Sequence, residues 1–154
     1  MDGRARVPVA VVAAALIGLV AFSWPLFLRP ESGMSATQAP IMFALVLPTV
    51  LAVVLSEIAG GRMDARSLAM LGVLAAVGTI LRPLSAGTAG FELVFFLMIL
   101  AGRVFGAGFG FALGAITLFT SALITSGVGP WLPYQMLAAG MVGLFAGLLP
   151  RAGG

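Results

Sequence analysis

Long apolar runs separated by short polar segments divide this sequence. Six runs are apparent, at residues 7–28, 40–59, 67–81, 91–102, 106–125 and 133–149. Each is unbroken rather than alternating, and most approach the roughly 17–25 residues that a helix needs to cross a bilayer. Backbone groups in lipid must bond within the protein, which leaves helices or a closed barrel. The pattern therefore predicts an all-α integral membrane protein, a polytopic bundle of about six transmembrane helices.

The segments between the runs hold residues that bend or end helices. The uncharged C-terminal stretch is divided by Gly-Val-Gly-Pro at 127–130, and Arg-Pro at 82–83 closes the third run. Pro48 lies inside the second run and predicts a kink, which membrane helices tolerate. The first run, 7–28, has a second interpretation as a cleaved signal peptide with a small-x-small site at 21–23. We favour a retained helix because the apolar run continues beyond that site.

Composition supports this class and removes several others. The chain is 61% hydrophobic and 8% charged, whereas soluble domains carry roughly 25% charged residues. It contains no Cys, His or Lys, so a disulfide framework, a His/Cys metal site and a Walker A loop are all excluded. No cofactor is implied, and no nucleophile paired with a base is visible. The protein is therefore not expected to be an enzyme, and any ATP hydrolysis that drives it belongs to a partner.

The arginines are scattered singly, which indicates membrane topology rather than nucleic-acid binding. If the N-terminus is cytoplasmic, the outer side holds only Arg29 and Arg82. The inner side then holds the other six: Arg4, Arg6, Arg62, Arg66, Arg103 and Arg151. This bias follows the positive-inside rule, so we predict that both termini are cytoplasmic.

Small residues recur at a spacing of four in the later runs. Such residues share one helix face and let a neighbouring backbone approach closely. One interpretation, which we favour, is internal packing of the bundle, and the other is a docking surface for a partner subunit. The candidate docking residues are Gly72, Ala76, Gly102, Gly106, Gly110 and Gly114.

A few polar residues near the ends of the runs are the candidates for ligand binding. Arg82 and Glu92 flank one predicted outer loop, where they either pair with each other or present charge to a ligand. Trp131, Tyr134 and Gln135 follow the 127–130 turn. The two aromatic residues fit an interface belt, but aromatic faces with a Gln amide also suit a planar ligand.

Two further charged residues are given structural interpretations. Glu57 is expected at the membrane interface because Arg62 and Arg66 lie close along the chain. Arg103 is interpreted as a topology anchor on the inner side.

The chain from about 67 to 151 resembles the substrate-specific S component of energy-coupling factor (ECF) transporters. The resemblance is carried by Arg82-Pro83, by the segments 87–92 and 101–114, and by 127–137 with 143–150. It is closest to the branch described as probable cobalamin-type S components of actinobacteria. The order of these segments is more specific than their glycine content alone.

The resemblance implies a subunit of a bacterial cell membrane that captures a vitamin, cobalamin as the first expectation, at its outer face. It would then dock on a T component driven by two ATPase subunits. The first core helix, 67–81, would dock through Gly72 and Ala76, and the loop 84–90 would act as a lid. Outer helix ends, including Trp131, Tyr134 and Gln135, would line the pocket.

The sequence departs from the S-component pattern at both ends. Residues 1–66 form an additional N-terminal pair of helices, and 67–154 hold four core helices where the family has six. A truncated S-component core is therefore expected.

Two other functions stay open on the sequence. A small proton-coupled, homo-oligomeric exporter would need a titratable carboxylate at mid-membrane, and Glu57 and Glu92 lie nearer the ends of their runs. A ligand-free membrane assembly protein would suit the glycine stripes.

Overall fold

A computed structural model describes residues 35–61, 63–85, 92–129 and 131–150, together with single helical positions between 9 and 23. Within these ranges the chain is helical, with short turns between the helices. We name the helices in chain order: α1 is Ser35–Ala59, α2 is Ala65–Ser85, α3 is Leu93–Phe105, α4 is Ala107–Ile124 and α5 is Leu132–Leu148. These helices confirm the all-α prediction, and each coincides with one of the apolar runs.

The helix α2 is longer than the predicted run 67–81, since it begins at Ala65 and ends at Ser85. At its start, the Asp64 carboxylate accepts a hydrogen bond of 2.9 Å from the Ser67 backbone N–H. This is the contact of an N-cap residue, which satisfies one of the free donors in a first helical turn. At its other end, α2 continues through Pro83 to Ser85, since a proline in a last turn removes only one backbone bond.

Two tight turns set the order of the later helices. Gly106 alone separates α3 from α4, and its φ of 99° is readily adopted only by glycine. The turn after α4 places Ser126 at a φ of 54°, and the Gly127 N–H donates to the Ala122 carbonyl at 2.8 Å. This backbone bond closes the end of α4 as in a Schellman motif. The second break lies where Gly-Val-Gly-Pro at 127–130 predicted it, and the first lies four residues beyond the predicted end of the fourth run at Gly102.

The helices α3, α4 and α5 meet at a glycine seam, defined here as Gly102, Gly110, Gly114, Ala139 and Gly143. A Cβ atom at Gly102 or Gly110 would overlap the Gly143 carbonyl, and one at Gly114 would overlap the Ala139 carbonyl. Backbones in van der Waals contact of this kind require small residues.

Three residues that were predicted to dock a partner belong to the seam, and for them the prediction is corrected. Gly102, Gly110 and Gly114 are buried against the protein's own backbone, so no partner helix has access to them. Gly106 does not belong to the seam either, because it forms the turn between α3 and α4. Internal packing, the interpretation favoured on the sequence, accounts for the three buried glycines.

Glu57, which the sequence predicts at the membrane interface, lies near the end of α1 and is only 2% exposed. Its carboxylate lies against Gly108 in the first turn of α4, where a Cβ would overlap it. A first turn carries backbone N–H groups without intrahelical partners and a partial positive charge, both of which favour a carboxylate. This contact ties α1 to the centre of the bundle.

The outer surface of the bundle is apolar. Among the described residues, two helices are long and apolar enough to cross a membrane: Ala65–Leu84, with a mean hydropathy of 1.7, and Ala107–Ile124, with 1.8. Shorter apolar helices accompany them at Val46–Ala59, Leu93–Phe105 and Leu132–Leu148. Large apolar side chains such as Val73, Ile80 and Phe96 are exposed, as expected where lipid is the solvent.

The sequence-predicted span at 7–28 and the arginines at its ends lie mostly outside the described residues. Within it, Gly18 is buried, and a Cβ there would overlap the Leu137 side chain of α5. The predicted lid, 84–90, also falls outside the described residues except for its first two positions, which are the last of α2.

Candidate functional site

Successive helices joined by short turns run in opposite directions, so the C-terminal end of one helix lies beside the N-terminal end of the next. The C-terminal ends of α2 and α4 therefore lie with the N-terminal ends of α3 and α5, as the contacts of Arg82 with Ser121 and Gln135 show. We call this the Arg82 end of the bundle. Glu57, Gly108 and Arg103 belong to the opposite end.

A cavity of about 180 Å³ opens at the Arg82 end. Its volume is well below the roughly 300–1,000 Å³ of pockets for drug-sized ligands. Three polar side chains share its wall with apolar ones. The lining residues are Arg82, Glu92, Phe95, Leu118, Gln135, Ala138 and Ala139.

Arg82 is held in place by two neighbouring helices. One terminal nitrogen donates to the Ser121 hydroxyl of α4 at 3.3 Å, and the other donates to Gln135 Oε1 of α5 at 3.1 Å. A guanidinium has five N–H donors in a fixed fork, so these two bonds orient it and leave further donors. Both acceptors are neutral, so the positive charge of Arg82 is not neutralised by them.

Glu92 lines the same cavity from the start of α3. It occupies the N-cap position, but its side chain makes no capping bond. The pairing of Arg82 with Glu92, one of the two interpretations on the sequence, does not form: among the described residues no carboxylate lies within ion-pair distance of Arg82. The two opposite charges therefore face one cavity without neutralising each other directly.

The cavity brings together three of the five sequence-predicted binding residues: Arg82, Glu92 and Gln135. Trp131 and Tyr134 are not among the lining residues. Trp131 is 56% exposed, and its ring lies back over Gly129. Such an exposed aromatic at a helix end is typical of the interface belt.

Ser121 was missed by sequence reasoning, although a signal was present. Thr117, Ser121 and Thr125 recur at a spacing of four in α4, which places three hydroxyls on one face of an apolar helix. Thr117 is fully buried, and neither its hydroxyl nor that of buried Thr79 in α2 has a hydrogen-bond partner among the described residues. Polar character therefore continues inward from Arg82 along α2 and α4.

At the opposite end, Arg103 donates to the backbone carbonyls of Leu149 and Pro150. These carbonyls follow the last turn of α5, where a positive charge is favourable. Of the predicted docking residues, Gly72 and Ala76 are exposed on α2, and a Cβ at Gly72 would meet nothing within 4 Å.

Comparison with known proteins gives one match. The sequence model of one family, described as the ECF transporter substrate-specific component, matches residues 66–153, which is more than half of the chain. Neither the curated proteins nor the solved structures include a match. The matched part begins at α2 and includes every helix that lines the cavity. The chain therefore belongs to the substrate-specific components of ECF transporters, which are helical membrane proteins that act as transport subunits with T and ATPase partners.

Proposed function

We propose that this protein captures its substrate in the cavity at the Arg82 end and delivers it to the T and ATPase subunits. The observation that carries the proposal is the guanidinium of Arg82, which two helices orient in a cavity of a largely apolar bundle and which has no carboxylate partner among the described residues. Charged groups within membrane bundles are costly and mark substrate sites. The family supplies the transport role, and the cavity supplies a place for the substrate.

The proposed topology has the Arg82 end facing outward. The distribution of arginines supports it, since six of the eight fall on the other side of a chain with six spans. With this orientation the cavity opens where an importer meets its substrate, and both termini are cytoplasmic.

For partner docking we propose the exposed face of α2 that carries Gly72 and Ala76. The two residues lie one turn apart, and a neighbouring helix can approach closely because Gly72 has no side chain and open space around it. The other predicted glycines are occupied by internal packing. Of the helices that carry predicted docking residues, α2 is therefore the one that we propose for docking.

The size of the cavity argues for a small substrate. Cobalamin, the first expectation from the sequence, is far larger than a cavity of about 180 Å³ and would need the helices at the Arg82 end to separate. A vitamin-like molecule with a single ring or a short chain fits without that rearrangement.

A proton-coupled exporter has less support. Its mechanism needs a carboxylate in a transport pathway at membrane depth. Glu57 is buried against Gly108 at the end opposite the cavity, and Glu92 lies at the mouth of the cavity, where it is exposed. No described cavity connects the two.

Co-expression of the full chain with the T component and ATPases from its host tests the proposal. We expect a complex of all subunits and ATP-dependent uptake of one small molecule. Gly72→Leu should abolish co-purification, whereas Gly72→Ala, which adds one methyl group, should keep it. A wild-type chain that never associates with these subunits and carries no ligand would refute the transport role. Unchanged association of Gly72→Leu would refute the docking face alone.

A further inference from the structure

Arg82 and Gln135 bring hydrogen-bond donors to the same cavity. Gln135 accepts from Arg82 through Oε1, so its amide NH₂ group remains as a donor beside the guanidinium. Both residues line the cavity. Two adjacent donor groups, one of them charged, form the pattern that binds a planar carboxylate through both oxygens.

Glu92 restricts the charge that the cavity accepts. Glu92 lines the same cavity as Arg82, so the formal charges of these two lining residues sum to zero although they form no ion pair with each other. A dianion such as a phosphate monoester would be attracted by one cation and repelled by one anion at short range. A monoanion that also carries an N–H or O–H donor satisfies Arg82 and Glu92 together.

The remaining wall restricts the body of the ligand. Phe95, Leu118 and the alanines at 138 and 139 provide apolar surface, and the volume of about 180 Å³ admits only a short chain or a single ring. A nucleotide or a tetrapyrrole does not fit such a space. Burial of a small apolar body adds affinity, and the polar groups fix its orientation.

We infer that the substrate is a small monocarboxylate with an apolar body and at least one hydrogen-bond donor, whose carboxylate binds Arg82 and Gln135 and whose donor faces Glu92. This inference rests on the proposed capture function and adds the chemical class of the substrate. Arg82 and Gln135 are substrate-contacting residues in it, and Ser121 is a positioning residue that orients Arg82.

Matched pairs of a carboxylate and its neutral analogue test the inference on the full chain in lipid nanodiscs. The probes are 4-aminobenzoate against 4-aminobenzamide, and pantothenate against pantothenol, with inorganic phosphate and cobalamin as further arms. Binding is measured by calorimetry and by the ligand-induced rise in melting temperature. The variants are Arg82→Gln and Arg66→Gln, which remove the same charge at opposite ends of α2; Arg66 is exposed and distant from the cavity.

We expect at least one acid to bind while its neutral partner binds about 10- to 100-fold more weakly. Arg82→Gln should abolish the preference for the acid, and Arg66→Gln should keep it. Equal binding of acid and neutral partner, or binding of cobalamin or phosphate in preference to both acids, would overturn the inference and leave the capture function intact. If no probe binds and protein purified from its host membranes carries no small molecule, both the inference and the capture function fail.

Discussion

The helices α4 and α5 meet closely at the glycine seam and line a cavity at the Arg82 end. At the seam, Gly110 and Gly143 bring the backbones together and leave no space for a methyl group. At the Arg82 end, Leu118 and Gln135 line a cavity that the two helices share with α2 and the start of α3. Ala139 marks the transition, since its carbonyl contacts Gly114 and the residue also lines the cavity. Side-chain size along one helix pair thus separates a closely packed region from the candidate site.

The largest expected effect comes from filling the seam. Gly143→Ala places a methyl group on the Gly110 carbonyl, and overpacking against backbone costs about 1–3 kcal/mol or more. We expect a markedly lower melting temperature in detergent or nanodiscs. The matched control is Gly72→Ala in open space, which should be neutral or stabilise by roughly 0.5–1 kcal/mol. Equal melting temperatures for the two variants would show that the seam is not tightly packed.

The contact between Glu57 and Gly108 predicts non-additive stabilities. Gly108→Ala alone displaces the buried carboxylate, and we expect a loss of about 1–3 kcal/mol. In a Glu57→Ala background the methyl group meets no carboxylate, so the same substitution should cost much less. Thermal unfolding of the two single variants and the double variant measures the coupling. Additive losses would place Glu57 away from α4.

At the Arg82 end, loss of the positioning hydroxyl should affect binding rather than folding. Ser121→Ala removes one hydrogen bond to Arg82, and such a bond contributes roughly 0.5–1.5 kcal/mol. We expect ligand affinity to fall several-fold while the melting temperature of the free protein stays close to that of the wild type. Ser121→Thr, which keeps the hydroxyl, should restore most of the affinity. Full affinity in Ser121→Ala would remove Ser121 from the site.

The smallest effect concerns the start of α2. Hydrogen bonds from the Ser67 side chain and backbone lower the pKa of the exposed Asp64 below its ordinary value of 3.8. A lowered pKa means that the cap stabilises the fold fully above the ordinary pKa and is lost as pH falls through the folded-state pKa. Asp64→Asn should therefore flatten the decline in stability below about pH 4. If the stability of Asp64→Asn declines with falling pH as steeply as that of the wild type, Asp64 does not cap α2.

The sequence was sufficient for the helices and for part of the site. Apolar runs and glycine breaks located α3, α4 and α5 because local residues decide where a helix forms and ends. The spacing of the glycines predicted a small-residue face, but the partner of that face depends on tertiary packing. The same limit applies to Glu57, because its contact with Gly108 of α4 could not be inferred from its neighbours along the chain.

Polar residues at the ends of the apolar runs line the candidate site, where the chain folds back on itself. Arg82, Glu92 and Gln135 are far apart in sequence, yet antiparallel helices bring their ends to one cavity. Trp131 does not line the cavity, because its ring lies over Gly129, and that side-chain direction cannot be inferred from position alone. Ser121 was overlooked because a hydroxyl inside an apolar run is usually bonded to its own helix, and the spacing of four that it shares with Thr117 and Thr125 shows a common face but not what that face contacts.

Native mass spectrometry of the protein purified from its host membranes tests the central claim, that the Arg82 end holds the substrate. Wild type and Arg66→Gln should each carry the same single small molecule, and Arg82→Gln should carry none while retaining the melting temperature of ligand-free wild type. Retention of that molecule by Arg82→Gln would place the substrate elsewhere, and a wild type without any bound molecule would contradict the account.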